Sequence, residues 1–121
     1  MKLSTGVDLI EIVRIAEAIE RHGDRFIMRI FTKGEQRECK GRVASLAARF
    51  AAKEAAAKAL GCGIGDVSWL EIEVVGDENQ APHLALHGEA EKMARGSGLN
   101  QWSLSLSHTL EHAVAFVVAL G

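Results

Sequence analysis

An α+β fold, with helices packed on a largely antiparallel sheet, is predicted by three features of this sequence. Leu3, Thr5, Val7 and Leu9 alternate with Ser4, Gly6, Asp8 and Ile10, the period of a strand. Helical spacing then dominates as far as Gly61, ending in an alanine-rich run that stops at glycine. Alternation returns after Trp69 and closes on two adjacent strand-like runs, 102–108 and 113–120, which read as a terminal hairpin. The order, one strand and four helices followed by two strands, a helix and two strands, belongs to α+β domains.

Each element has its own local cause. Ile12, Ile15, Ala16 and Ile19 take helical spacing, predicting an amphipathic helix over about 11–21 that Gly23 breaks. A short helix over 24–30 would bury Phe26, Ile27 and Ile30. Thr32-Lys33-Gly34-Glu35 matches a capping box that opens a third helix. The alanine-rich helix spans about 43–60, and Gly61 ends it because glycine enters the left-handed cap without a Cβ clash. Residues 69–75 alternate as a strand, 76–79 read as a turn, and 83–86 form a short strand after Pro82. A helix over 89–95 stops near Gly96 and Gly98. In 102–108, Trp102, Leu104 and Leu106 share one face and serines the other. Residues 109–112 turn the chain, and the uniformly apolar 113–120 predicts a central strand buried on both faces.

With 121 residues, 48% hydrophobic and 25% charged, the sequence fits one domain over 1–121 with its own core. The formal net charge of −2 and the scarcity of aromatics argue against nucleic acid as a partner. Cys39 and Cys62 lack CxxC spacing, so free thiols in a reducing compartment are expected. No apolar run approaches the ~20 residues of a membrane span, and no signal-peptide core is seen, so a cytoplasmic location is expected.

The charged residues offer a specific chemistry. Asp8 lies near a strand end, and Glu54 sits among alanines on a slim helix that a ligand can approach closely. Together they would supply the few carboxylates that Mg²⁺ accepts when waters and phosphates complete its shell. Lys58, one helical turn beyond Glu54, would neutralise charge on a leaving phosphate. Arg49 and Lys53, on a neighbouring stripe, are candidate phosphate ligands. The bland alternative is a helix-start role for Asp8 and, for the others, a solvated helix with a Glu54–Lys58 pair. His108 and His112 have HxxxH spacing, but a turn intervenes, so a zinc site is rejected. A polar Ser107-His108-Thr109 edge holding a ligand fits better. Arg14, Arg21 and Arg25 surround Phe26, an arrangement suited to anchoring an acidic protein partner.

These segments together resemble the holo-acyl-carrier-protein synthases, the short phosphopantetheinyl transferases. The resemblance is carried by Gly6-Val7-Asp8-Leu9-Ile10-Glu11 with Arg14, then Arg25-Phe26 through Phe31-Thr32 and Glu35. It continues through Arg49-Phe50-Ala51-Ala52-Lys53-Glu54-Ala55 with Lys58, the Gly61, Gly63 and Gly65 loop, and Ser105-Leu106-Ser107-His108-Thr109 with Ala113. One departure is Gln80-Ala81, where the family often has Gly-Lys before the proline.

The resemblance implies transfer of 4′-phosphopantetheine from coenzyme A to a serine of apo acyl carrier protein. It implies Mg²⁺ at Asp8 and Glu54, serine deprotonation by Glu54, and a leaving phosphate stabilised by Lys58. Arg49, Lys53, Gly61, Gly63, Gly65, Ser107, His108 and Thr109 would line the coenzyme A site. Arg14, Arg21, Arg25, Phe26 and Arg29 would dock the acidic carrier helix. A homotrimer with sites between subunits is implied as well. The alternatives are a Mg²⁺-dependent hydrolase of coenzyme A or a related nucleotide diphosphate, and a non-catalytic nucleotide-binding protein.

Overall fold

Strand β1, Leu3–Glu11, pairs antiparallel with β5, His112–Leu120, and β5 pairs in turn with β4, Gln101–His108. The computed structural model describes residues 1–76 and 81–121, so most of the turn expected over 76–79 lies outside the described residues. The sheet order is β1-β5-β4, and a second antiparallel pair joins β2, Ile72–Val75, to β3, His83–Leu86. The expected single sheet is thus two. Among the described residues there are five α-helices: α1 Ile12–His22, α2 Asp24–Ile30, α3 Lys33–Cys39, α4 Val43–Leu60 and α5 Gly88–Gly96. None of the described helices is long and apolar enough to cross a membrane.

Helix α4 forms the core by lying flat on the inner face of the three-stranded sheet. Its Ala51, Ala52, Ala55, Ala56 and Ala59 are buried, and so are Ala113, Ala115, Val117 and Ala119 on β5. Small side chains on both surfaces let the backbones approach. Gly6 shows how closely: a Cβ built there would sit 1.8 Å from the Ala55 carbonyl oxygen. The Ser4 hydroxyl, on the same face of β1, donates to the Ala59 carbonyl at 2.5 Å.

Strand β5 is central, as expected, but only one of its faces is buried. On the other, Phe116 is exposed, flanked on β1 by the exposed Leu3, Val7 and Leu9. The cause is supply: α4 covers the inner face, and no described element covers the outer one. The strand expected over 69–75 also begins late. Trp69–Glu71 is a 3₁₀ turn, in which the Ser68 amide donates to the Glu71 carboxylate at 2.8 Å and the Glu71 amide to the Ser68 carbonyl at 3.1 Å. The capping box of α3 is present as expected: the Glu35 amide donates to the Thr32 hydroxyl, and the Thr32 amide to the Glu35 carboxylate.

Both cysteines are free. Cys39 is fully buried at the end of α3, and burial pushes its thiol up to about 11. Cys62 is half-buried beyond α4 and is raised too, by burial and then by the Asp66 charge.

Candidate active site

The close approach of α4 to β1 at Gly6 brings three charged side chains together. Asp8 is two residues beyond Gly6 on the same face of β1, while Glu54 and Lys58 flank Ala55 on α4. Lys58 Nζ crosses the seam to donate to the Val7 carbonyl at 2.9 Å and to Asp8 Oδ1 at 3.2 Å. The Lys58 chain remains half-exposed, so this bond is open to competition from an arriving anion. Glu54 is half-buried, and its carboxyl is held above its ordinary value. Burial is the main cause and the Asp8 charge adds to it, with Lys58 pulling the other way. Two carboxylates that repel each other across a helix–strand seam are suited to a cation. Among the described residues no third His, Cys, Asp or Glu joins them, a set that suits a hard ion retaining waters and substrate oxygens.

The loop after α4 is built on glycine where the backbone demands it. Gly61 has φ 81° and caps the helix, its amide donating to the Lys58 carbonyl, and Gly65 has φ 124°. The Gly63 amide lies 3.4 Å from Asp66 Oδ2. All three glycines are exposed, on a loop that begins at the end of the helix carrying Glu54 and Lys58.

The Ser107-His108-Thr109 edge is elsewhere. Ser107 pairs with Val114, which pairs with Leu9, and Asp8 aligns instead with Ala115 and Leu106. Ser107 therefore belongs to the outer face and Asp8 to the inner one, two strand spacings apart, or about 10 Å. Ser107, His108 and Thr109 are exposed, and the Thr109 hydroxyl accepts from the Glu111 and His112 amides, closing the hairpin. One chain does not bring this edge to the carboxylates.

Arg49 and Lys53 require a correction. Both were expected to face a phosphate, and both are turned inward. Lys53 is fully buried; its Nζ donates to Glu35 Oε1 at 2.8 Å, the Trp69 carbonyl at 2.9 Å and the Ile72 carbonyl at 2.6 Å. Three donors are thereby committed, the full capacity of an ammonium. Burial draws its pKa below the ordinary lysine value, with Glu35 opposing. Arg49 donates to the Gly76 carbonyl at 2.5 Å and pairs with Glu38 at 3.4 Å, while Glu38 accepts from the Gly76 amide at 2.8 Å. Together Arg49 and Glu38 clamp the end of β2. Sequence reasoning missed Glu35 and Glu38 as partners, because nothing local shows that α3 faces α4.

The basic surface is on α1 and α2. Arg14 and Arg21 are exposed along α1, flanking a shallow cleft with Glu17, Ala18 and His22. Arg25, Phe26 and Arg29 of α2 border a groove of about 660 Å³ whose far wall is Phe50 and Trp69. Those two rings pack with centroids 4.7 Å apart. Neither was singled out from the sequence.

A model of the 4′-phosphopantetheinyl transferase superfamily matches residues 4–117. The chain is 51% identical to the holo-[acyl-carrier-protein] synthase of Herpetosiphon aurantiacus, covering 98% of this chain and 99% of that protein. Its identity to the synthase of Koribacter versatilis is 47%, with 98% of each covered. The crystal structure of the Helicobacter pylori synthase in complex with coenzyme A superposes with a TM-score of 0.87 at 32% identity, over 96% of this chain and 99% of that one. The chain belongs to the holo-[acyl-carrier-protein] synthase family of phosphopantetheinyl transferases, and it is an enzyme.

Proposed function

We propose that the chain transfers 4′-phosphopantetheine from coenzyme A to a serine of apo acyl carrier protein, with Mg²⁺, releasing adenosine 3′,5′-bisphosphate. The observation that carries this reading is the convergence of Asp8, Glu54 and Lys58 at one seam. The serine oxygen attacks the phosphorus bearing the pantetheine arm, and the bond to the departing phosphate oxygen breaks. Glu54, its carboxyl raised from its ordinary value by burial and by the Asp8 charge, takes the serine proton. Lys58 leaves Asp8 to neutralise the departing phosphate oxygen. Asp8 and Glu54 would hold Mg²⁺, which when bound supplies charge neutralisation across the diphosphate oxygens. The Gly61, Gly63 and Gly65 loop, together with Ser107, His108 and Thr109, lines the coenzyme A site.

The uncovered apolar face of β1 and β5 supports a homotrimer, in which the Ser107–Thr109 edge of one chain completes the site of another. Phe116→Glu is expected to dissociate the assembly, because a charge at that face cannot be buried unpaired. Sedimentation of the variant as a monomer, with activity lost, is the predicted result. An unchanged assembly removes this interface.

Arg14, Arg21, Arg25, Phe26 and Arg29 form the carrier dock, and the free thiols suit a cytoplasmic setting. Arg14→Ala/Arg25→Ala should raise the carrier KM about tenfold, with a reduced salt dependence and an unchanged KM for coenzyme A. Equal carrier KM in variant and wild type would remove that dock. The alternative of a coenzyme A hydrolase is not favoured by the synthase relatives. Mass spectrometry of apo carrier incubated with the protein, coenzyme A and Mg²⁺ is the decisive test. A gain of one phosphopantetheine is expected, and free 4′-phosphopantetheine without carrier modification would favour the hydrolase.

A further inference from the structure

Trp69 forms the far wall of the arginine-bordered groove, yet it lies in a single 3₁₀ turn rather than a strand. Two things hold it. Its ring packs on Phe50 of α4, and its carbonyl accepts from Lys53 of the same helix at 2.9 Å. Phe50 and Lys53 are three residues apart, so one side of α4 supplies both the ring's partner and the anchor for its backbone.

Lys53 is itself fixed. Glu35 Oε1 accepts from Lys53 at 2.8 Å and from the Thr32 amide at 2.9 Å, and Oε2 accepts from the Val74 amide at 3.0 Å. Both members of the pair are fully buried, and no buried side-chain polar atom among the described residues lacks a partner. A flexible lysine is thereby made rigid, and the turn it grips inherits that rigidity.

We propose that the buried Lys53–Glu35 pair is a positioning device for carrier recognition, holding Trp69 against Phe50 and so setting the width of the groove beside Arg25 and Arg29. The inference rests on reading that groove as the carrier dock. Lys53 acts through Trp69 and touches neither substrate. An acidic carrier helix meets the arginines, and an apolar side chain from it enters between Phe26 and Trp69. A loosened turn leaves that pocket ill-defined, which weakens carrier binding without disturbing Glu54 or the coenzyme A loop.

The test uses Lys53→Met/Glu35→Gln, which removes both charges so that neither is left buried alone. It is made in a Trp102→Phe background, leaving Trp69 as the only indole. Apo acyl carrier protein and coenzyme A are the substrates. The expected result is a carrier KM raised about tenfold, with kcat and the coenzyme A KM within about twofold, and Trp69 fluorescence more open to acrylamide. Trp69→Leu, made in parallel, should raise the carrier KM alone. If Trp69→Leu leaves that KM unchanged, the groove is not the dock and the proposal falls with it. If Trp69→Leu weakens carrier binding while the charge-free pair does not, the dock stands and the positioning role is overturned. Should the double variant fail to fold, Lys53→Arg keeps a cation opposite Glu35 while replacing the ammonium that grips the Trp69 carbonyl. It must show the same KM split at smaller amplitude, and an even fall in all parameters would refute the proposal.

Discussion

Glu54→Gln should reduce kcat roughly 10³-fold while coenzyme A still binds, because the amide neither accepts the serine proton nor carries charge toward a cation. The substitution is nearly isosteric at a half-buried position, so the α4–β1 packing persists. A second readout follows from the raised carboxyl. A carboxyl whose folded value exceeds its unfolded one destabilises the folded chain above both values and has no effect below them. Without bound metal, the Gln variant should therefore melt higher than wild type near neutral pH. That advantage should disappear on acidification below the unfolded glutamate range. Normal turnover in the variant with Mg²⁺ present would remove Glu54 from the chemistry, and an equal or lower melting temperature near neutrality would contradict the electrostatic reading.

Gly6→Ala should be more damaging than its single added carbon suggests. The new Cβ would lie 1.8 Å from the Ala55 carbonyl oxygen and 2.8 Å from its carbon, both backbone atoms that no rotamer change can move. Strand and helix would have to separate along the seam that aligns Asp8 with Lys58. Overpacking costs about 1–3 kcal/mol where side chains can yield, and a rigid backbone contact belongs at or above that upper end. A fall in melting temperature of about 10 °C or more is expected for a chain of this size, with kcat falling further than stability alone explains. A stable, fully active Gly6→Ala protein would show that the close approach is not what brings these groups together.

Legibility varied along the chain for physical reasons. The capping box at Thr32, the glycine stop at Gly61 and the alternation of β4 are local signals, and each element formed where its signal stood. Asp8 and Lys58 are 50 positions apart, and only the fold brings them together. Lys53 was misread because a charged stripe on a helix looks the same whether solvent or a carboxylate faces it. Its partner Glu35 is 18 residues away on another helix and was already assigned a capping role. Trp69 was misread because two patterns overlap there. The alternation of 69–75 suggests a strand, but Ser68-Trp69-Leu70-Glu71 also has the spacing of a helical turn start, and the turn prevailed. The outer face of β5 could not be read at all, since an apolar run does not say whether its own chain will cover it.

The state of the two cysteines has a bearing on handling coenzyme A, which itself ends in a sulfhydryl. Nucleophilic attack on a disulfide requires a thiolate, and both Cys39, near 11, and Cys62, also raised, remain protonated at neutral pH. Slow exchange with oxidised coenzyme A is therefore the expected outcome at both positions, and Cys39 is shielded from solvent besides. If the chain turns over coenzyme A as proposed, neither cysteine is then disposed to capture the sulfur-bearing arm as a mixed disulfide.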